Sequence, residues 1–149
     1  MIVPSQFKFT KKVLHKVATP MSFEYPNKNL SLAEKMVDFM DKNDGVGLAA
    51  PQIGISKRLF VMKINYVTYY CFNPEITYYS EEMIVGQEGC LSFPDELITV
   101  PRSKQIRGRY LNHRGECIDF ELNGGLISVC FQHELDHLDG IVMHDRQVR

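Results

Sequence analysis

The residues His133-Glu134-Leu135-Asp136-His137 carry the side chains best suited to metal chemistry in this sequence. On an α-helix, residues four apart point nearly the same way and lie about 6 Å apart along the axis, so two imidazoles placed there can grip one ion. Glu134 then stands beside the ion and is free to act as a base. Two histidines leave the third ligand open, and that ligand decides the class of metal chemistry. In the extended metalloprotease pattern His-Glu-x-x-His-x-x-Gly-x-x-His, the last histidine falls three residues after Gly140, where this sequence has Met143, and His144 comes one position late. Proteases that draw a carboxylate from a later helix need far more chain than follows His137 here. The third ligand is therefore expected upstream.

The four cysteines are not equivalent candidates. Cys130 shares the helical stripe, but an ion centred between His133 and His137 would be roughly 7–8 Å from it along the axis, beyond a cysteine's reach. It is expected to line the cavity. Cys71 and Cys117 sit in strand-like runs, where a cysteine is most often a small buried hydrophobe. Cys90 stands in Gln87-Glu88-Gly89-Cys90-Leu91-Ser92, after an apolar strand and beside a glycine that permits close backbone approach. A metal ligand, a reactive thiol and a buried thiol all fit that setting.

A third landmark is Gly45-Val46-Gly47-Leu48-Ala49-Ala50-Pro51-Gln52-Ile53-Gly54. Its start matches the loose dinucleotide pattern Gly-x-Gly-x-x-Gly/Ala, yet a helix precedes it and Pro51 would break the helix that must follow. It lacks a Gly-Lys-Ser/Thr end to hold phosphate. Nucleotide binding is rejected. What remains is a close-packed glycine loop that delivers one amide, Gln52, whose N–H suits a developing oxyanion.

The elements that must position these groups read as one domain over 1–149, for no repeat, low-complexity tract or Pro/Gly/Ser linker divides the chain. A first helix is predicted over 31–44, with Ser31 and Glu34 at capping-box spacing, an apolar stripe of Leu32, Met36, Val37 and Met40, and Gly45 as the C-terminal cap. Over 58–122 the texture becomes short β-rich runs, with breaks expected at Asn73-Pro74, Pro94-Asp95 and Arg114-Gly115. After Asn123-Gly124-Gly125, residues 126–140 read as about four turns of helix, apolar on more than one face and hence buried. The fold class predicted is α+β: antiparallel or mixed β-sheets packed around a central buried helix that carries the His-Glu-x-x-His motif, plus an N-terminal helix.

Composition narrows the partners. Seventeen Lys+Arg against eighteen Asp+Glu give a net charge of −1, so no overall field draws nucleic acid or an anionic membrane. The one basic run, Arg102, Lys104, Arg107, Arg109 and Arg114, reads as a solvated sheet face. No direct nucleic-acid site is expected. No window approaches the roughly 18 apolar residues of a membrane span, and the start shows no apolar stretch or cleavage site of a secretory signal. Four irregularly spaced cysteines do not make a disulfide framework. A cytoplasmic protein without membrane attachment is expected.

Taken in order, GVGLAAPQ at 45–52, EGCLS at 88–92 and QHELDH at 132–137 resemble the three signature motifs of peptide deformylases. Residues 14–21, Val100-Pro101-Arg102 and Asp139-Gly140 also fall in register with that family. The resemblance implies a metal-dependent hydrolase that removes the formyl group from the N-terminal formyl-methionine of nascent polypeptides and releases formate. It implies one divalent ion per chain, held by Cys90, His133 and His137, usually Fe(II), with Zn, Ni or Co as other occupants. Glu134 would move the proton, and the Gln52 amide and the Leu91 backbone N–H would meet the oxyanion. The substrate would lie as an added strand bonded by Gly47 and the segment that includes Gly89. Its methionine would enter a pocket bounded by Val46, Leu126, Val129, Cys130 and His133.

Two departures from the family pattern carry expectations of their own. Leu97 stands where family members often have an arginine that assists the substrate backbone, which bears on peptide affinity. The sequence stops at Arg149, where many bacterial members continue into a further helix, so it resembles short, phage-encoded or trimmed members. Ribosome docking by that helix cannot be assumed. A phage origin would put the enzyme in the host cytoplasm. A monomer is expected, because no amphipathic seam is left over. Competing readings are a peptidase built on the same helix, disfavoured by Met143, and a structural zinc module, which requires a fourth protein ligand and has no use for Glu134.

Overall fold

The structure is a computed structural model that describes residues 7–148. The expectation that the amino-terminal segment is no signal peptide concerns in part residues 1–6, which lie outside the described residues. The first helix, α1 (Pro26–Lys42), begins five residues before the predicted start. Pro26 occupies its first turn, where a fixed φ suits the helix and a missing N–H costs nothing. Tyr25 is the N-cap without a side-chain bond, so Ser31 and Glu34 form no capping box and lie within the helix. At the other end Asn43 is the C-cap and Asp44 takes the left-handed conformation at φ 59°. Gly45 is needed for a different reason than capping: a Cβ there would meet Leu91 Cδ1 at 2.6 Å.

Strands β1 (Gly47–Ala49), β2 (Leu59–Ile64), β3 (Val67–Tyr79), β6 (Gln105–Leu111) and β7 (Cys117–Asn123) form one sheet in the order β1-β2-β3-β6-β7. Strands β4 (Met83–Cys90) and β5 (Phe93–Ser103) form a separate two-stranded hairpin. Every pairing between these strands is antiparallel. Two expected breaks lie inside strands. Asn73-Pro74 sits within β3 as a bulge, with Asn73 at φ 46° and a register shift between Phe72 and Glu75. The Asn73 side chain spends its polar groups on Met21, accepting from its N–H at 2.8 Å and donating to its carbonyl at 3.2 Å. Pro94-Asp95 lies within β5. Arg114-Gly115 does form a turn, with Gly115 at φ 86°.

Strand β2 explains how the layers stack. Successive side chains leave a strand on opposite faces. Leu59 and Val61 join Met36, Met40 and Phe72 under α1, while Phe60 and Met62 join Phe131, Leu135 and Leu138. A strand covered on both faces reads as an unbroken apolar run, as LFVMKI does. The last three of those residues belong to α2 (Gly125–Leu138), which is buried at ten of its fourteen positions. Its carboxyl end is held by Arg58, which donates to the Leu138 carbonyl and to Asp139, each at 2.9 Å. This is the α+β arrangement expected, with α2 in the middle.

Two expectations on single residues change. Cys71 is buried, but Cys117 is exposed because β7 is the outer strand of the sheet. The basic run is no continuous face: Lys104, Arg107, Arg109 and Arg114 pair on the surface with Glu82, Glu121, Glu75 and Glu116. Arg102 points the other way, into the protein, at 4% exposure.

Candidate metal centre and active site

Helix α2 places His133 and His137 one turn apart with their Nε2 atoms 3.2 Å from each other. Strand β4 extends through Gly89 and ends on Cys90, whose Sγ lies 3.4 Å from His137 Nε2. All three donor atoms fall within 4.8 Å of one another. Metal–nitrogen bonds of about 2.0–2.1 Å and metal–sulfur bonds of about 2.3 Å, set at tetrahedral angles, require N···N near 3.3 Å and N···S near 3.6 Å. The trio therefore has the spacing and the donor chemistry for a divalent ion that takes thiolate and imidazole.

Electrostatics agree. Burial pushes both imidazoles toward neutrality, but bonds to Cys90 and Glu88 outweigh it at His133 and raise its pKa to about 10. Burial, reinforced by the charge on His133, pushes His137 well below the ordinary range. The sulfur and carboxylate groups packed around His133 favour a positive charge there.

The orientation of His133 comes from residues that the sequence reading did not single out. Its Nδ1 pairs with Glu88 Oε1 at 2.8 Å. Arg102 donates to both oxygens of Glu88, from Nε at 2.8 Å and from Nη2 at 2.9 Å, and from Nη1 to Asp136 at 2.6 Å. Arg146 then donates twice to the same Asp136, at 3.2 and 3.1 Å. Burial alone would raise the Glu88 pKa, yet the bonds from Arg102 and His133 override it and hold the carboxyl at about 2. Glu88 lies within the quoted EGCLS motif and Arg102 in VPR, so both were visible; what was missing was a reason to join them.

Glu134 stands beside this centre. It is 4% exposed, and its Oε1 and His137 Nδ1 are the buried side-chain polar atoms, among the described residues, without a protein partner. Burial raises its pKa to about 7 against the pull of His133, with Glu88 adding to the rise. A carboxyl poised near neutrality can both take and return a proton. Gly47, on β1, lies against it.

Gln52 closes another side. It sits in a short 3-10 turn, Ala50–Ile53, that the glycine loop feeds, and it is 1% exposed. Its Oε1 accepts from the Ala49 N–H at 2.9 Å, and its Nε2 reaches Ser92 Oγ at 3.0 Å and Cys90 Sγ at 3.5 Å. Leu91 follows Cys90 in the hairpin turn. Gln52, Leu91, Cys90, His133 and Glu134 all line one open cavity of about 430 Å³.

A smaller adjoining hollow, about 150 Å³, is bounded by Val46, Gly89, Leu126, Val129 and Cys130 together with His133 and Glu134. The residues singled out from sequence thus meet in one place, with Gly47 in the wall of the larger cavity. Cys130 lines the hollow and is not among the three converging donors. Met143 is buried with Ile98 and Val100 in a cluster that packs against Cys90, and His144 pairs with Glu96 at 2.9 Å and is not among the three converging donors. Leu97 is 67% exposed, near Gly89.

Residues 6–149 match the family model described as polypeptide deformylase. A protein named peptide deformylase from Thermotoga sp. (strain RQ2) is 44% identical over 138 residues, covering 93% of this chain and 83% of the relative. The crystal structure of peptide deformylase from Thermotoga maritima superposes with a TM-score of 0.90 at 41% identity, covering 96% of this chain and 98% of that one. A Met-Ala-Ser bound class I type b peptide deformylase from Acinetobacter baumannii gives a TM-score of 0.88 at 34% identity, covering 97% of this chain and 98% of that one.

Proposed function

Because the chain belongs to the polypeptide deformylase family, whose members remove the formyl group from the N-terminal methionine of nascent polypeptides in a metal-dependent reaction, we propose that Cys90, His133 and His137 hold the ion and that Glu134, Gln52 and Leu91 carry the chemistry. The observation that bears most weight is the convergence of three donor atoms within 4.8 Å beside a buried carboxyl with a free oxygen. When bound, a divalent ion lowers the pKa of a water ligand toward neutrality and polarises a carbonyl.

The protein's own groups do the rest. Glu134 Oε1 takes the water proton and later delivers it to the amine that leaves as formate departs; one carboxyl serves both transfers, and its burial favours holding the proton between them. As the formyl carbon becomes tetrahedral its oxygen gains charge, and the Gln52 Nε2–H and the Leu91 N–H meet it. Such donors act before the charge appears and need no reorganisation.

The formyl-methionyl peptide is read as an added strand. Strand β4 pairs only with β5, which leaves its other edge open beside the site. Gly47 and Gly89 supply backbone bonds, and the methionine side chain enters the hollow of Val46, Leu126, Val129 and Cys130. The Met-Ala-Ser ligand of the Acinetobacter relative supports a peptide as the substrate.

Fe(II) is the proposed ion, with Zn, Ni or Co as substitutes that a thiolate and two imidazoles accept. Iron implies oxygen sensitivity, since the ion and Cys90 both oxidise. The chain is read as one domain over 1–149 that works as a cytoplasmic monomer, with no membrane or nucleic-acid partner. No helix among the described residues is long and apolar enough to cross a membrane, and the net charge of −1 supports the reading without a nucleic-acid partner.

The deciding experiment is formate release from formyl-Met-Ala-Ser, measured anaerobically with protein loaded separately with iron, nickel and zinc. Turnover that Glu134→Gln abolishes while metal content stays stoichiometric is the expected result. Unchanged turnover in that variant would overturn the assignment.

A further inference from the structure

We propose that Ser92 is the positioning residue for the Gln52 amide, accepting one Nε2 hydrogen so that the other remains aimed at the reacting oxygen. The proposal rests on the reading of Gln52 as an oxyanion donor. A glutamine amide has one acceptor atom and two donor hydrogens. Its oxygen is committed to the Ala49 N–H at 2.9 Å, which fixes which end of the amide faces the site. One hydrogen goes to Ser92 Oγ at 3.0 Å. The remaining hydrogen lies on the side of Cys90 Sγ, 3.5 Å away, at the mouth of the cavity where the formyl oxygen is expected. The backbone of Gln52 is tied as well, its carbonyl accepting from the Thr10 N–H at 3.0 Å.

The brace is needed because the last torsion of a glutamine is broad and does not lock the amide plane by itself. Gln52 and Ser92 are buried at 1% and 7% exposure, so no bulk water replaces a lost acceptor. Without Oγ the amide plane would be free to rotate about that torsion, and the second Nε2–H would lose its fixed direction. Ser92 lies two residues after Cys90 in the same hairpin turn, with Leu91 between. The tripeptide thus carries a metal ligand, one oxyanion donor and the brace for the other, and couples their positions through a single piece of backbone.

The test is a double-mutant cycle. Ser92→Ala and Ser92→Thr are made in the native and Gln52→Ala backgrounds, with kcat, KM for formyl-Met-Ala-Ser and bound metal measured in each. Loss of a whole donor costs about 10²–10³ in kcat. Misplacing one is expected to cost Ser92→Ala about tenfold in kcat, with KM and metal content within about twofold. Ser92→Thr keeps the hydroxyl, and a hollow of about 300 Å³ bounded by Phe9, Thr10, Lys11 and Ser92 has room for its methyl group, so it should restore most of kcat. In the Gln52→Ala background Ser92→Ala should cost nothing further.

A full tenfold loss in that background, or an unchanged kcat in Ser92→Ala alongside a crippled Gln52→Ala, would overturn the brace. An unchanged kcat in Gln52→Ala would overturn the oxyanion reading and the brace with it. Should Ser92→Ala fail to fold, Ser92→Cys keeps the shape, offers only a weak acceptor, and reads the same split.

Discussion

Gly47 backs directly onto the Glu134 carboxyl: a Cβ on it would stand 2.5 Å from Oε2 and 2.9 Å from the Cys130 sulfur. Glu134 is walled in on that side, so its free Oε1 is held toward the site. Gly47→Ala should push the carboxyl out of place without touching a metal ligand. A displacement near 1 Å is expected to lower kcat about 10²-fold. Formate release should fall while metal content, read by atomic absorption, stays near one per chain.

Arg102 holds Glu88 and Asp136 together in the interior, at 4% exposure. Arg102→Met leaves both carboxylates short of a partner, and breaking a buried pair from one side costs about 3–5 kcal/mol. The urea midpoint of the metal-free protein should drop accordingly. Because Glu88 orients His133, metal release to a chelator should also speed up, by about 10–100-fold.

The same carboxyl sets an acid limit. Glu88 titrates at about 2 in the fold against an ordinary 4.5, so the unfolded chain binds its proton first as the pH falls. Its contribution is complete above 4.5 and is lost progressively between 4.5 and about 2. Unfolding of the metal-free protein followed across that range should show stability falling with pH. Glu88→Gln should be less stable at neutrality and show a flatter slope.

Cys90 is the proposed ligand farthest in sequence from the other two. Cys90→Ser exchanges a soft thiolate for a poor ligand, and dialysed protein should retain well under one ion per chain, with a matching loss of formate release. Full retention with unchanged activity would place the sulfur outside the coordination sphere.

Much of this site was legible because its parts are local. The spacing of His133 and His137 needs only the helical repeat, and the apolar faces of that helix, whose buried residues run from Ser128 to Leu138, announce its burial. The stripe Met36, Val37 and Met40 placed α1 on the core, although its start was set by Pro26 and not by the Ser31 and Glu34 pair. Spacing likewise put Cys130 at the cavity wall, where it lies outside the three converging donors.

By itself, then, the sequence determined what neighbouring residues along one element can do together: the two histidines, the base between them, the bend that presents Gln52, and the family to which the motifs point. Only tertiary structure decided which distant groups join them. Cys90 meets His137 across 47 positions, Glu88 meets His133 across 45, and Arg102 turns inward to reach Asp136 across 34. The physical reason is that helical and strand periodicity fix directions within an element, whereas a contact between elements depends on how the β4–β5 hairpin packs over α2. A buried arginine and a surface arginine on β5 would look alike until that packing placed two carboxylates within reach of one of them.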